Sequence, residues 1–354
     1  MDASPSSAAV AANHCRIRIA GSEQHFDIGS NEVLLPAALA LGIDYPHNCR
    51  VGTCGSCKTR LVSGRISPMV DFALSPLSNQ ELRDGYILAC QAKVRSDLEI
   101  DVRLGAHAAL PERRIATRVV QWRRLPGDVV DLRLALEQPL QYHAGQYCTL
   151  AVSGSFVRRS YSFYDAPPDV AGEGAREVGF LVKRLPGGAF SEWLFSEDRS
   201  NARIWLHGPY GRMGIEPGAR DSLGVAGGTG LAPILSIAAE RLRSLPDARF
   251  TLVYGVRRAE ELLASQALLD LVARYSGRLC LVPIVSHEPE GSHYAGARGL
   301  ITEALNDQLG VDYANVVSYI CGGRPMVEAV ERCLQELGVD AHRMHADKFA
   351  PTGI

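Results

Sequence analysis

The sequence predicts three consecutive folding units: an α+β unit at the N-terminus, an antiparallel β-barrel, and a doubly wound parallel-sheet α/β unit. Three observations predict them. Four cysteines, Cys49, Cys54, Cys57 and Cys90, gather in and just beyond a Gly-rich segment. From 115 to about 215, short apolar runs alternate with Gly/Pro turns, the pattern of antiparallel strands. From 222 onward strand-like and helix-like stretches alternate, which argues for a parallel sheet covered on both faces. A chain of 354 residues has room for two or three domains.

Bulk composition narrows the function classes. The chain is 46% hydrophobic and 21% charged, with a net charge of −2. Nothing in that balance draws nucleic acid or a membrane surface, and neither is an expected partner. Nine cysteines are present. Beyond the gathered four stand Cys15, Cys148, Cys280, Cys321 and Cys333, an odd set at irregular spacing and no disulfide framework. A reducing, cytoplasmic location is expected. Residues 1–13 lack a basic start and a strong apolar core, so they read as a disordered tail rather than a signal peptide. No apolar run approaches a bilayer span.

The first unit, 14–104, reads as strands over 14–20 and 24–28 and a helix over 33–41. The segment Cys49-Arg-Val-Gly-Thr-Cys54-Gly-Ser-Cys57 and the later Cys90 have the spacing C-x4-C-x2-C…C of a plant-type [2Fe–2S] cluster. Zinc sites more often match one C-x2-C pair with another. Gly52 and Gly55 let the backbone wrap closely and aim N–H groups at sulfur. The segment resembles the plant-type ferredoxins, which implies a β-grasp fold with Cys49, Cys54, Cys57 and Cys90 as cluster ligands. His47 reads as a solvated loop residue.

Residues 105–113 read as a linker, and 114–217 as the barrel, with strands near 119–120, 129–134 and 147–152. In Arg158-Arg159-Ser160-Tyr161-Ser162, strand alternation puts Arg159 and Tyr161 on one face, suited to phosphate and a flat ring. His143-Ala-Gly-Gln-Tyr147 precedes it. Pro186-Gly187-Gly188-Ala189-Phe190-Ser191 follows and opens a helix over 191–195, whose N-terminal N–H groups suit phosphate. In this order the pieces resemble the flavin domain of the ferredoxin–NADP reductase superfamily. The resemblance implies that Arg159 binds the pyrophosphate, Tyr161 packs on the isoalloxazine and Ser162 sits near N5. Ser160, Val182 and Lys183 line the flavin site, and Gly188, Ala189, Phe190 and Ser191 take phosphate.

The third unit, 218–354, alternates strand and helix: helices over 232–245, 259–275, 300–309 and 325–337; strands over 250–254, 279–285 and 315–320; and a last strand with a frayed end from 345. Val225-Ala-Gly-Gly228-Thr229-Gly230-Leu-Ala-Pro233 reads G-x-G-x-x-P between a strand and a helix, an arrangement that sets N–H groups against a pyrophosphate. Pro233 fits the first helical turn. Tyr254-Gly255 and Cys321-Gly322-Gly-Arg-Pro325-Met326 stand at two further strand ends, where doubly wound sheets bind ligands.

These elements resemble the pyridine-nucleotide domain of the same superfamily. That implies nucleotide contacts from Gly228, Thr229, Gly230, Gly255, Arg257, Gly322, Pro325 and Met326. Cys321 would orient the nicotinamide without acting as a nucleophile. Phe349 would cover the flavin ring and Asp347 influence it electrostatically. Where the superfamily often has C-G-P-P-P-M, this chain has Gly323 and Arg324.

Read together, the chain resembles the reductase components of bacterial multicomponent oxygenases, those serving aromatic-ring dioxygenases and aromatic or alkane monooxygenases. The resemblance implies a flow of electrons from NADH through FAD and [2Fe–2S] to a terminal oxygenase or an intermediate ferredoxin, in a monomer. Flavin would convert a two-electron donor to a one-electron outlet. Arg257 and Arg258 could grip the 2′-phosphate of NADPH, opposed by Glu260 and Glu261. A reductase for a deoxysugar dehydrase shares the layout. So does an iron–sulfur carrier whose reductase part is inactive, and an absent flavin band would reveal it. Over 14–104, ten basic and ten acidic residues cancel. The expected docking rim for an acidic partner is Arg50, Lys58 and Arg60.

Overall fold

The computed structural model describes residues 14–47, 52, 55–67, 76–102, 104, 110–155, 157–168, 172–211, 213, 216, 221–262 and 266–349. The expected tail over 1–13, much of the linker, Cys49, Cys54 and Arg50 lie outside them. The chain divides into two compact units, Met1–Ala109 and Leu110–Ile354.

In the first unit, β1 (His14–Ile19), β2 (His25–Gly29), β3 (Lys58–Ser63), β4 (Tyr86–Leu88) and β5 (Leu98–Asp101) make a mixed sheet in the order β2-β1-β5-β3-β4. β1 and β5 run parallel at its centre, with antiparallel neighbours outside, as in a β-grasp. Strict alternation along β1 buries Cys15, Ile17 and Ile19. α1 (Leu34–Ala40) adds Leu34, Leu35 and Ala38 to that core. α2 (Asn79–Arg83) begins with a capping box: Ser78 accepts from the Glu81 N–H, and Glu81 accepts from the Ser78 N–H.

The second unit begins with β6 (Arg113–Leu125), β7 (Val129–Leu140), β8 (Tyr147–Val152), β9 (Arg158–Ser162), β10 (Ala175–Lys183), α3 (Ala189–Ser196) and β11 (Arg203–Tyr210). Their antiparallel sheet has the order β10-β7-β6-β11-β8-β9. It curls until its edges approach: the Tyr164 N–H, just past β9, donates to the Gly179 carbonyl of β10 at 3.1 Å. α3 drops Phe190, Leu194 and Phe195 onto the barrel core.

There follow β12 (Asp221–Gly227), a 3₁₀ turn (Gly228–Gly230), α4 (Leu231–Ser244), β13 (Arg249–Val256), α5 (Gln266–Arg274), β14 (Leu279–Val285), β15 (Ala297–Arg298), β16 (Val317–Gly323), α6 (Arg324–Glu336) and β17 (Met344–Phe349). The strands are all parallel, in the order β15-β14-β13-β12-β16-β17. The order reverses between β12 and β16, the point at which such sheets open a ligand crevice. One face is covered by α4 and α5, the other by α6. The first of these cores also takes in Val129, Ala144, Tyr164, Leu181 and Met213 from the barrel, so barrel and parallel sheet share apolar contacts.

Two expected helices are interrupted. Over 259–275 there is a 3₁₀ turn (Ala259–Glu261) followed by an extended Leu262, and α5 covers Gln266–Arg274. The Glu288 carboxylate accepts the Ala259 N–H at 2.6 Å and ties that turn to the next loop. Over 300–309 there are two 3₁₀ turns (Ile301–Ala304 and Asp307–Leu309). Asn306 is extended between them and accepts the Gln308 N–H at 2.9 Å, a local bond that competes with helix.

Candidate functional site

The cluster segment is built from the inside out. Cys57 is buried, and its Sγ lies 3.3 Å from that of Cys90. That is far longer than the ~2.05 Å of a disulfide. It is close to the ~3.7 Å separating two thiolates on one tetrahedral metal with ~2.3 Å bonds. These two sulfurs therefore fit a shared iron.

Side chains the sequence did not single out hold them there. The Thr59 hydroxyl donates to the Cys57 carbonyl at 3.2 Å and accepts from the Tyr45 hydroxyl at 2.7 Å. Burial pushes the Tyr45 hydroxyl above its ordinary range, so it remains a donor. His47 is buried too, contrary to the expected solvated loop, with Nδ1 2.7 Å from the Tyr45 carbonyl oxygen. Gly52 has φ +87, and a Cβ there would meet the Gln91 side-chain amide carbon at 2.6 Å. The left-handed backbone favours glycine there, and any Cβ would have to displace the end of Gln91.

Two of the expected rim cations are among the described residues. Lys58 Nζ lies 2.5 Å from the Glu81 carboxylate, and Arg60 Nε donates to the Asp84 carbonyl at 3.3 Å. Each has a contact within the unit, and Arg60 remains exposed.

In the barrel, β9 is an edge strand and presents Arg159 and Tyr161 half-buried on one face, with Ser160 exposed and Ser162 buried. The Tyr161 ring centroid is 5.3 Å from that of Phe190, which brings the start of α3 to β9. Gly188 caps α3 without any side-chain acceptor. Ser191 instead braces the turn from within, accepting the Leu185 N–H at 3.0 Å and donating to the Leu185 carbonyl at 3.1 Å. An edge-strand arginine, a half-open tyrosine ring and an uncapped helix start together fit a flavin dinucleotide. Of the other flavin-lining candidates, Ala189 is exposed at the start of α3, and Val182 is in the barrel core. Lys183 is exposed, 3.8 Å from Glu261.

At the switch point, the turn after β12 meets the end of β16. A Cβ on Gly230 would fall into the Cys321 carbonyl, with the carbonyl carbon at 2.6 Å and the Gly322 nitrogen at 2.9 Å. A Cβ on Gly322 would lie 3.3 Å from the Gly227 backbone and run into the Met326 side chain. Gly228 (φ +54) and Gly323 instead have nothing within 4 Å of a Cβ. Two backbones thus pack together beneath an open surface that Gly228 and Gly323 border, and Thr229 lies in the turn beside it. That fits the close approach of a nucleotide phosphate. Pro325 occupies the first turn of α6, and a Cβ on Gly255 would meet Ile301 Cδ1 at 2.8 Å.

Cys321 is fully buried, and burial, then the charge of Asp347, pushes its thiol well up. It is a neutral thiol, as its expected non-nucleophilic role requires. Asp347 and Phe349 sit on β17 opposite Cys321 and Gly323. Lys348 between them pairs with Glu331 at 2.7 Å and so fixes β17 to α6. Beyond β13, Arg257, Arg258, Glu260, Glu261 and His287 line a cavity of about 450 Å³.

Known proteins resemble this chain over nearly its whole length. Residues 17–95 match the family described as 2Fe-2S iron-sulfur cluster binding domain, 116–215 the oxidoreductase FAD-binding domain, and 225–332 the oxidoreductase NAD-binding domain. The xylene/toluene monooxygenase electron transfer component of Pseudomonas putida is 34% identical over 94% of this chain and 93% of its own length. A ferredoxin–NAD(+) reductase component of the alkene monooxygenase system of Xanthobacter autotrophicus is also 34% identical, over 92% of this chain and 97% of its own. Among solved structures, an Amycolatopsis cytochrome P450 reductase superposes with a TM-score of 0.73 at 30% identity, covering 95% of this chain and 99% of its own. No described helix is long and apolar enough to cross a membrane. The chain belongs to the family of reductase components that carry electrons from NAD(P)H through FAD and a [2Fe–2S] centre to multicomponent oxygenases.

Proposed function

We propose that this protein is a monomeric, cytoplasmic NADH-preferring reductase that feeds a terminal oxygenase, or the ferredoxin serving one, in hydroxylation of an aromatic or hydrocarbon substrate. The support for the electron route is the pair of backbones at the β12/β16 switch point, open above Gly228 and Gly323 and closed below. We assign 14–104 to the cluster unit, 105–113 to the linker, 114–217 to the flavin barrel and 218–354 to the nucleotide unit. When bound, flavin takes a hydride and releases single electrons.

The chain's residues bind and orient. Arg159 and the 188–191 turn hold the flavin phosphates, Tyr161 and Phe349 flank the ring, and Ser162 approaches its reacting edge. Cys321, kept neutral, packs against the nicotinamide. Cys49, Cys54, Cys57 and Cys90 hold the cluster. Preference for NADH is supported by the carboxylates of the 257–261 cavity: Arg258 leans 3.7 Å from Glu260, and two acids there disfavour a 2′-phosphate.

Anaerobic titration with NADH tests this reading. Flavin and cluster absorbance should both bleach, and NADPH should need at least tenfold more coenzyme for the same rate. Cys90→Ser should abolish the cluster bands and delivery to an oxygenase, while NADH-driven ferricyanide reduction stays within about twofold. A wild-type protein whose flavin is not bleached by NADH would defeat it.

A further inference from the structure

The flavin strand and the nucleotide turn lie far apart in sequence, and one hydrogen bond joins them by a short route. Ser236, on α4, is fully buried, and its hydroxyl donates to the Asp165 carbonyl at 2.6 Å. Asp165 stands three residues beyond Ser162 at the end of β9, and Ser236 six residues beyond Gly230. The same carbonyl accepts the Tyr142 hydroxyl from within the barrel at 3.1 Å. It is thus a junction with one donor from each lobe. The Asp165 side chain in turn accepts from Arg133 at 2.9 Å, a further tie of this residue to the barrel. A second contact lies one residue along α4: a Cβ on Gly145, in the turn before β8, would meet Ile237 Cδ1 at 2.9 Å.

Farther along, the lobes also meet at Glu216, whose carbonyl accepts from Arg241 and whose carboxylate lies 3.1 Å from His345, and at Lys183, which stands 3.8 Å from Glu261. The rest of the described contact is apolar, through Val129, Ala144, Tyr164, Leu181 and Met213. Apolar burial resists separation but is non-directional and permits sliding. A hydrogen bond has a preferred length and angle and does not. We propose that Ser236 is a positioning residue for hydride transfer, setting the register of α4, and with it the nucleotide turn, against the flavin strand. In the reaction it serves, two electrons and a proton leave NADH together as hydride, NAD⁺ remains, and the flavin takes them up. Rates of such transfers fall steeply with small misplacement, up to ~100-fold for ~1 Å.

The inference rests on the proposed route from nucleotide to flavin. It is tested on the full chain loaded with FAD and cluster, with Ser236→Ala and, as a variant near in volume with a weak donor, Ser236→Cys. Tyr142→Phe is the control that removes the donor belonging to the barrel alone. Stopped-flow reduction by NADH at saturation should show a limiting rate about tenfold lower in Ser236→Ala, less reduced in Ser236→Cys, and within twofold of wild type in Tyr142→Phe. FAD content should be unchanged, and the long-wavelength charge-transfer band formed on adding NAD⁺ to the reduced protein should weaken. The proposal is overturned if Ser236→Ala keeps the wild-type limiting rate and band while only its Tm drops, or if Tyr142→Phe slows the reaction equally. Wild-type flavin that NADH does not reduce would instead defeat the underlying functional reading.

Discussion

Two glycine turns serve the two ends of the electron route, and they use glycine differently. In the cluster segment, Gly52 has a left-handed backbone, and the space a Cβ would take holds the end of the Gln91 side chain. At the nucleotide turn, the space beside Gly230 holds the backbone of β16, while that beside Gly228 is open. A side chain can swing away; the centre of a parallel sheet cannot. The first turn is therefore shaped by yielding neighbours. The second is shaped by rigid ones below and is open above.

This contrast can be broken in graded steps. Gly230→Ala should be the most damaging, at ~2–4 kcal/mol, because carbonyl and amide of β16 must move. A fall in the thermal midpoint, with loss of NADH-dependent bleaching, checks it. Gly52→Ala should cost about 1–2 kcal/mol, from left-handed strain and a displaced Gln91. Its signature is lower iron and sulfide content with normal FAD. Gly228→Ala should cost only about 1 kcal/mol in stability, yet raise the KM for NADH about tenfold, because the new methyl enters the open surface. Equal stability losses in Gly230→Ala and Gly228→Ala would erase the distinction.

The smallest effect is electrostatic and confined to the cluster unit. Burial raises the Glu81 carboxyl, but hydrogen bonds from Lys58 and Ser78 more than reverse this and leave it below its ordinary value of 4.5. A depressed carboxyl stabilises the fold fully above its unfolded value and ceases to do so as pH falls through the folded one. The difference in Tm between wild type and Glu81→Gln should therefore be constant near neutrality and shrink below pH 4.5. Partial exposure limits it to under ~1 kcal/mol.

What could be read from the sequence was what chemistry compresses into short spacing. The four cysteines, the Arg159–Ser162 strand and the Gly228–Pro233 turn each place their groups within a few residues, and local geometry does the rest. The sequence also carried a signal that went unused, the Ser78–Glu81 capping box of α2. The rest was illegible for a physical reason. Tyr45 with Thr59, Lys58 with Glu81, and Ser236 with Asp165 are partners 14, 23 and 71 residues apart, brought together only by packing. The broken helices at 259–275 and 300–309 show the converse. Apolar periodicity favoured helix, and a single carboxylate or amide bonded to the backbone diverted it.

Arg241 sharpens what can be exchanged between such proteins. Its side chain is fully buried on α4 and donates to the Glu216 carbonyl at 3.1 Å, just as Ser236 donates to Asp165. Both acceptors precede β12. A nucleotide lobe excised at β12 would lose both acceptors and expose to water a face that is buried in the whole chain. Three families can be traced along this chain, but a chimera-builder has only two interchangeable parts. Those parts are Met1–Ala109 and Leu110–Ile354, and only an exchange that keeps the second whole keeps both of these bonds.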